Sequence, residues 1–202
     1  MLVENEIKLR VPERQCLGRV LDACRTNYVL VSNWRVEHDT YFDTAEGFLR
    51  EDDLTLRIRE LPSSASVAVK GPRKRRASGE YYRFEVEIQV PNVDELKRRL
   101  LKEGFLSKVT IEKRRVEFRK ADDTRVCVDE LPHIGHFMEI EGPSESIQAT
   151  LAELSAETLE RVGENYTELL ERHLRSQGED MSDGLTAIFV GEPTPHVPVN
   201  RP

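Results

Sequence analysis

Residues 2–10 of the chain read Leu-Val-Glu-Asn-Glu-Ile-Lys-Leu-Arg, with Glu4, Glu6, Lys8 and Arg10 at every second position. Successive side chains on a β-strand point to opposite faces, so one face of this stretch is wholly charged. The other carries Val3, Ile7 and Leu9, with one polar break at Asn5. The same two-residue period returns along the chain. Arg57 and Arg59 share a face, Lys70 ends a strand whose other face holds Val67 and Val69, and Arg83, Glu85 and Glu87 are backed by Phe84, Val86 and Ile88. Lys113 and Arg115 lead toward Val116 and Phe118, Asp129 follows Arg125 and Cys127 at two-residue spacing, and Glu139 and Glu141 are backed by Met138 and Ile140. Strands of this kind closed into a barrel can face their charges outward around an apolar filling. They can also face them inward, with helices covering the apolar side. The pattern alone leaves both arrangements open.

The 202 residues suffice for one domain with a sizeable core, or one domain plus a tail. Pro12 opens a helix to about residue 26 with the apolar stripe Leu17, Val20, Leu21 and Cys24. Extended chain follows over 28–43, broken near Ser32-Asn33, then strands at about 54–60, 65–71 and 80–90. The basic stretch Arg73-Lys74-Arg75-Arg76 between the last two reads as a solvated loop. A helix over 93–103 stops at Gly104, and strands return at 105–120, 125–131 and 136–142. Helices are expected from Pro143-Ser144 to about 162 and from an Asn165 cap to about 176. Residues 1–176 thus form an α+β domain with a barrel or strongly curved sheet. Residues 177–202 are expected as an extension with a short strand at 185–190 and a disordered final dozen.

The formal net charge of −7 argues against non-specific nucleic-acid binding. No apolar run approaches the ~20 residues of a membrane span and the N-terminus lacks a signal-peptide core, so a cytoplasmic protein is expected. Cys16, Cys24 and Cys127 lack paired metal-ligand spacing and read as reduced thiols, and His38, His133 and His136 are too scattered for a metal triad. Walker-type loops, dinucleotide fingerprints and Ser or Thr nucleophile motifs are absent. An inward charged face would place Lys and Arg where phosphate oxygens suit them. Its Glu residues, without Cys or paired His, point to Mg²⁺ or Mn²⁺. Together these describe a site for a metal–polyphosphate complex, where catalysis is positioning and electrostatic stabilisation.

Glu4-Asn5-Glu6-Ile7-Lys8 resembles the ExExK pattern of the CYTH superfamily, the triphosphate tunnel metalloenzymes. The short pattern gains specificity from Asp39-Thr40-Tyr41-Phe42-Asp43-Thr44, Leu56-Arg57-Ile58-Arg59, Val69-Lys70-Gly71-Pro72 and Arg83 through Glu87. Glu112-Lys113-Arg114-Arg115 and Val128-Asp129 through Glu141 follow in the family's order, over roughly residues 2 to 170. The resemblance implies an eight-stranded antiparallel closed β-barrel, a tunnel with a charged lumen and helices packed outside. It implies Glu4, Glu6, Glu139 and Glu141 as metal-associated residues, Glu85 and Glu87 as a further acidic pair, and Asp129 as a metal or lysine partner. Lys8, Arg57, Arg59, Lys70, Arg83, Lys113 and Arg115 match phosphate-binding bases, with Lys8, Arg57, Lys113 and Asp129 as the catalytic set. The activity implied first is metal-dependent hydrolysis of an inorganic, thiamine or nucleoside triphosphate. A class IV adenylyl cyclase making cyclic AMP and pyrophosphate stands second, and a non-catalytic polyphosphate- or nucleotide-binding module third. The partner is a triphosphate-containing small molecule, with no specific nucleic acid and no membrane. Oligomeric state is not legible, and a dimer is compatible with the sequence.

Overall fold

The computed structural model describes residues 2–12, 14–180 and 184–190. Eight strands form a closed circuit: β1 (Leu2–Val11), β2 (Val29–Asp43), β3 (Thr55–Leu61), β4 (Ser64–Lys70), β6 (Tyr81–Gln89), β7 (Leu106–Arg119), β8 (Arg125–Leu131) and β9 (Gly135–Glu141). Their order is β1-β9-β8-β7-β2-β3-β4-β6, and β6 pairs back onto β1 through Val3↔Phe84 and Glu4↔Arg83. Every pairing around the circuit is antiparallel. Closure gives each of the eight strands a paired neighbour on both sides over part of its length.

The hydrophobic core lies outside this wall. Helix α1 (Arg14–Asn27) turns Leu17, Val20, Leu21 and Cys24 onto Ile7, Leu9 and Val11 of β1 and onto outward residues of β7 to β9, Phe118, Met138 and Ile140 among them. Ile147 and Leu151 of α4 (Ser144–Glu153) complete that cluster. With the apolar faces of β1, β7, β8 and β9 committed outward, the pleat sends their charged faces inward. The pattern's open choice is thereby resolved in favour of a charged lumen.

A second cluster closes one end. Tyr166, Leu169 and Leu170 of α5 (Tyr166–Ser176) pack with Ile111, Leu131, Phe137 and Val162. The entry of α5 is fixed by a capping box, in which the Asn165 side chain accepts from the Glu168 amide and Glu168 accepts from the Asn165 amide. Strand β10 (Leu185–Ala187) runs parallel to β7 at Val109–Ile111. Strand β8 pairs only with Arg114–Arg119, so β10 satisfies a backbone edge that would otherwise stay open. Leu185 and Ala187 join the second cluster.

Several elements differ from expectation. The helix after Pro143 ends at Glu153, where Ser155 takes a left-handed conformation (φ 50°). The chain then runs along β1, with Arg10 N–H donating to Glu160 O and Val162 N–H to Lys8 O. The break near Ser32 is a register shift within one long β2. The basic loop is not simply solvated: β5 (Lys74–Arg75) pairs with Tyr81 and Tyr82, and Arg73 bridges Asp53 and Glu168 at 2.7 Å each. A short α2 (Phe48–Glu51) has no apolar periodicity to announce it, and Asp43 holds it by accepting from the Leu49 and Arg50 amides. Helix α3 (Val93–Lys102) lies as expected, capped by Asn92. The three cysteines are free thiols. Among the described residues no helix is long and apolar enough to cross a membrane. The final dozen residues, expected to be disordered, lie outside the described ones.

Leu21 is fully buried between α1 and the barrel, whereas Leu101 on α3 is 52% exposed. Leu21→Ala is expected to lower the unfolding free energy by about 2–5 kcal/mol in a urea titration, and Leu101→Ala by less than about 0.5 kcal/mol.

Candidate active site

The lumen is a cavity of about 830 Å³, lined by charged side chains from the strands around the circuit. Its acidic centre comes from adjacent strands, since Glu6 on β1 pairs in register with Glu141 on β9. Glu4, Glu6 and Glu141 each offer a carboxylate oxygen, and the three oxygens lie within 4.8 Å of one another. Glu4 is ionised: burial raises its pKa, but Lys70 and Arg83 outweigh burial and bring it down to about 2. Lys70 Nζ sits 2.9 Å and Arg83 Nε 3.1 Å from its oxygens. Glu6 behaves oppositely. Burial, with repulsion from Glu139 and Glu4, pushes its pKa up to about 7. A crowded, oxygen-only donor set of this kind fits a hard divalent cation, whose charge would relieve the crowding.

The bases divide into committed and less committed groups. Arg59 holds both oxygens of Asp39 at 2.7 and 2.8 Å and reaches Glu37 at 3.0 Å. Arg115 holds both oxygens of Asp129 at 2.6 and 2.5 Å and one of Glu139 at 2.5 Å. These forked pairs use most of each guanidinium's donors. Arg57 differs: it is buried, its nearest carboxylate is Glu87 at 3.8 Å, and its Nε has no hydrogen-bond partner. Lys8 lies 3.4 Å from Glu139, and Lys113 lies 3.3 Å from Glu37. Burial, reinforced by the Arg115 and Arg59 charges, pushes the Lys113 pKa down.

All the residues expected from the sequence line this cavity except Asp129, which sits fully buried behind Arg115. The metal-associated set is divided in space. Glu4, Glu6 and Glu141 form one group, while Glu139 pairs with Arg115 and Lys8. Glu85 pairs with Lys70, and Glu87 accepts from Ser66. Sequence reasoning did not assign Arg35, Glu37 and Glu117 to the lumen. Arg35, Glu37 and Asp39 do follow the two-residue period on β2, but the irregular start of that strand hid it. Glu37 is fully buried, and Lys113, Arg115 and Arg59 overcome burial to lower its pKa to about 2. Tyr166 was missed because it enters the lumen from a helix, outside any strand alternation.

Comparison with known proteins agrees with this architecture. Residues 3–172 match the family model described as the CYTH domain. A Methanocaldococcus jannaschii protein named "Putative adenylate cyclase" is 26% identical over 140 residues, covering 69% of this chain and 77% of that protein. A solved structure from Vibrio parahaemolyticus, described as a "putative adenylate cyclase", superposes with TM-score 0.70 at 20% identity, covering 83% of this chain and 97% of that one. A Hippeastrum structure described as a "putative adenylyl cyclase" with a dominant triphosphatase activity superposes with TM-score 0.67 at 19% identity, covering 84% and 95%.

A divalent cation held by this cluster would compete with the proton on Glu6, whose pKa is raised to about 7. Mn²⁺ affinity should therefore rise about tenfold per pH unit up to neutrality and level off above it. Calorimetry near pH 6 in buffers of different ionisation enthalpy should show release of about one proton. A pH-independent affinity between about pH 5.5 and 8 would contradict this.

Proposed function

The chain belongs to the CYTH domain family, and on that premise we propose that it hydrolyses a triphosphate with the help of a divalent metal ion. The observation that carries the reading is one cavity in which a three-carboxylate cluster faces Lys8, Lys113 and a buried Arg57 with an unpartnered Nε. Glu4, Glu6 and Glu141 would hold Mg²⁺ or Mn²⁺, which when bound supplies charge neutralisation at the phosphate oxygens. Lys8, Arg57 and Lys113 bind those oxygens directly. Lys70 and Arg83 set the charge and direction of Glu4. Arg59 and Arg115, held by carboxylates, supply positive potential and keep the walls of the site in place. Asp129 orients Arg115.

The lumen confines the triphosphate among fixed charges, the condition under which electrostatic stabilisation of phosphoryl transfer is strongest. The triphosphatase activity described for the Hippeastrum relative supports hydrolysis. The names of the Vibrio and Methanocaldococcus relatives favour a second reading, attack of the ribose 3′-hydroxyl on the α-phosphorus to give cyclic AMP and pyrophosphate.

The test is product analysis with tripolyphosphate, thiamine triphosphate and ATP, each with Mg²⁺ or Mn²⁺. Orthophosphate without cyclic nucleotide is the expected result. Glu4→Gln and Glu141→Gln should each lower kcat/KM by roughly 100-fold. Cyclic AMP with pyrophosphate would replace the hydrolase reading with the cyclase one. Undiminished metal-dependent turnover in both variants would remove the metal assignment.

A further inference from the structure

Tyr166 lines the charged lumen, and Lys8 and Lys113 lie against its ring. Tyr166 is the first residue of α5, and the following turn is anchored through Glu168, which Arg73 holds at 2.7 Å. Its hydroxyl donates to Asp129 Oδ2 at 2.8 Å, which fixes the angle of the ring. Phe137 packs against it edge-on at 5.3 Å between centroids. Lys8 Nζ lies 4.2 Å from the ring centroid and Lys113 Nζ 5.5 Å. These two lysines come from different strands, β1 and β7, and meet beside the same ring.

Each lysine also has a carboxylate nearby, Glu139 at 3.4 Å from Lys8 and Glu37 at 3.3 Å from Lys113. Both distances exceed the 2.7–2.9 Å usual for a charge-assisted hydrogen bond. Glu139 and Glu37 are instead drawn to arginines, at 2.5 Å from Arg115 and 3.0 Å from Arg59. An aromatic face attracts an ammonium group through its quadrupole and leaves the positive charge uncancelled. Like charges gathered on one ring also repel, and the attraction of each to the ring lowers the cost of holding them there.

We propose that Tyr166 is a positioning residue whose ring holds Lys8 and Lys113 short of full pairing with Glu139 and Glu37, so that both ammonium groups stay available to the phosphate oxygens of one substrate. This rests on the triphosphate reading and adds to it a residue that touches the two lysines rather than the reacting atoms. Without the ring, each ammonium group closes onto its carboxylate, and the substrate must break that pair before it binds.

The experiment measures the Kd of tripolyphosphate in the presence of Mn²⁺, together with kcat and KM, for the full chain. Tyr166→Phe keeps the ring and should hold Kd within about twofold of wild type. Tyr166→Leu removes it and should raise Kd and KM by roughly tenfold, with kcat changing less than about threefold. A series with fluorinated phenylalanines at position 166 weakens the quadrupole while keeping the shape, and Kd should rise stepwise with fluorination. Should Tyr166→Leu fail to fold by thermal melting, that series and Tyr166→Met supply the same comparison. A flat fluorination series, or equal Kd values for the Phe and Leu variants, in a protein whose wild type binds tripolyphosphate contradicts the role of the ring alone. A wild type that binds no tripolyphosphate contradicts the ring's role and the functional reading together.

Discussion

A charged side chain taken out of water must find opposite charge, and that requirement governs this barrel. Lys8, Glu37, Asp39, Arg57, Lys70, Lys113, Arg115, Asp129 and Glu139 are all buried, and all but Arg57 have an oppositely charged atom within 3.5 Å. The pairs cross between strands: Arg115 on β7 binds Asp129 on β8 and Glu139 on β9, and Arg59 on β3 binds Asp39 on β2. These contacts tie the wall together from inside while α1 and α4 bury the apolar exterior of β1, β7, β8 and β9. On this side of the barrel the usual relation of core to surface is inverted. What holds the strands in a closed circuit is also what fills it.

Such a filling is a poor device for stability alone. Desolvating each ion costs several kcal/mol, and buried pairs replaced by well-packed apolar residues are often as stable or more so. The departures from complete pairing carry the functional meaning. Burial, with crowding from Glu139 and Glu4, pushes the Glu6 pKa up to about 7, and Arg57 has a buried donor with no acceptor. Crowded carboxyl groups at one position and unspent positive charge at another describe a cavity that is complementary to a metal-bound polyanion. The committed arginines fix the frame in which those groups are offered.

The two-residue alternation made the charged faces legible, because the period of a strand does not depend on which way the face turns. It could not choose between inside and outside. That choice rests on α1 and α4, whose apolar stripes need Ile7, Leu9, Met138 and Ile140 as partners. Residues that reach the lumen by other routes escaped a reading built on alternation. Glu37 lies on a strand whose bulged start disguised its period, and Tyr166 lies on a helix whose only local mark is the Asn165 cap. The grouping of the seven acidic candidates was likewise hidden. Registers such as Glu6↔Glu141 bring together residues far apart in the chain, and no local pattern records them. The helix expected to run through residue 162 failed for a related reason, since backbone pairing with Arg10 and Lys8 on β1 competes with helix continuation.

The central claim is that the charged faces form the interior of the barrel and receive a triphosphate there. Residue-resolved acetylation of lysines by mass spectrometry, with and without Mn²⁺ and tripolyphosphate, tests it most directly. Lys8, Lys70 and Lys113 are buried, whereas Lys74 and Lys102 are exposed. The buried three should react at least tenfold more slowly than the exposed two, and Lys8 and Lys113 should be protected further when the ligand is added. Reaction of Lys8 and Lys113 at the rate of Lys74, unchanged by the ligand, would contradict the account.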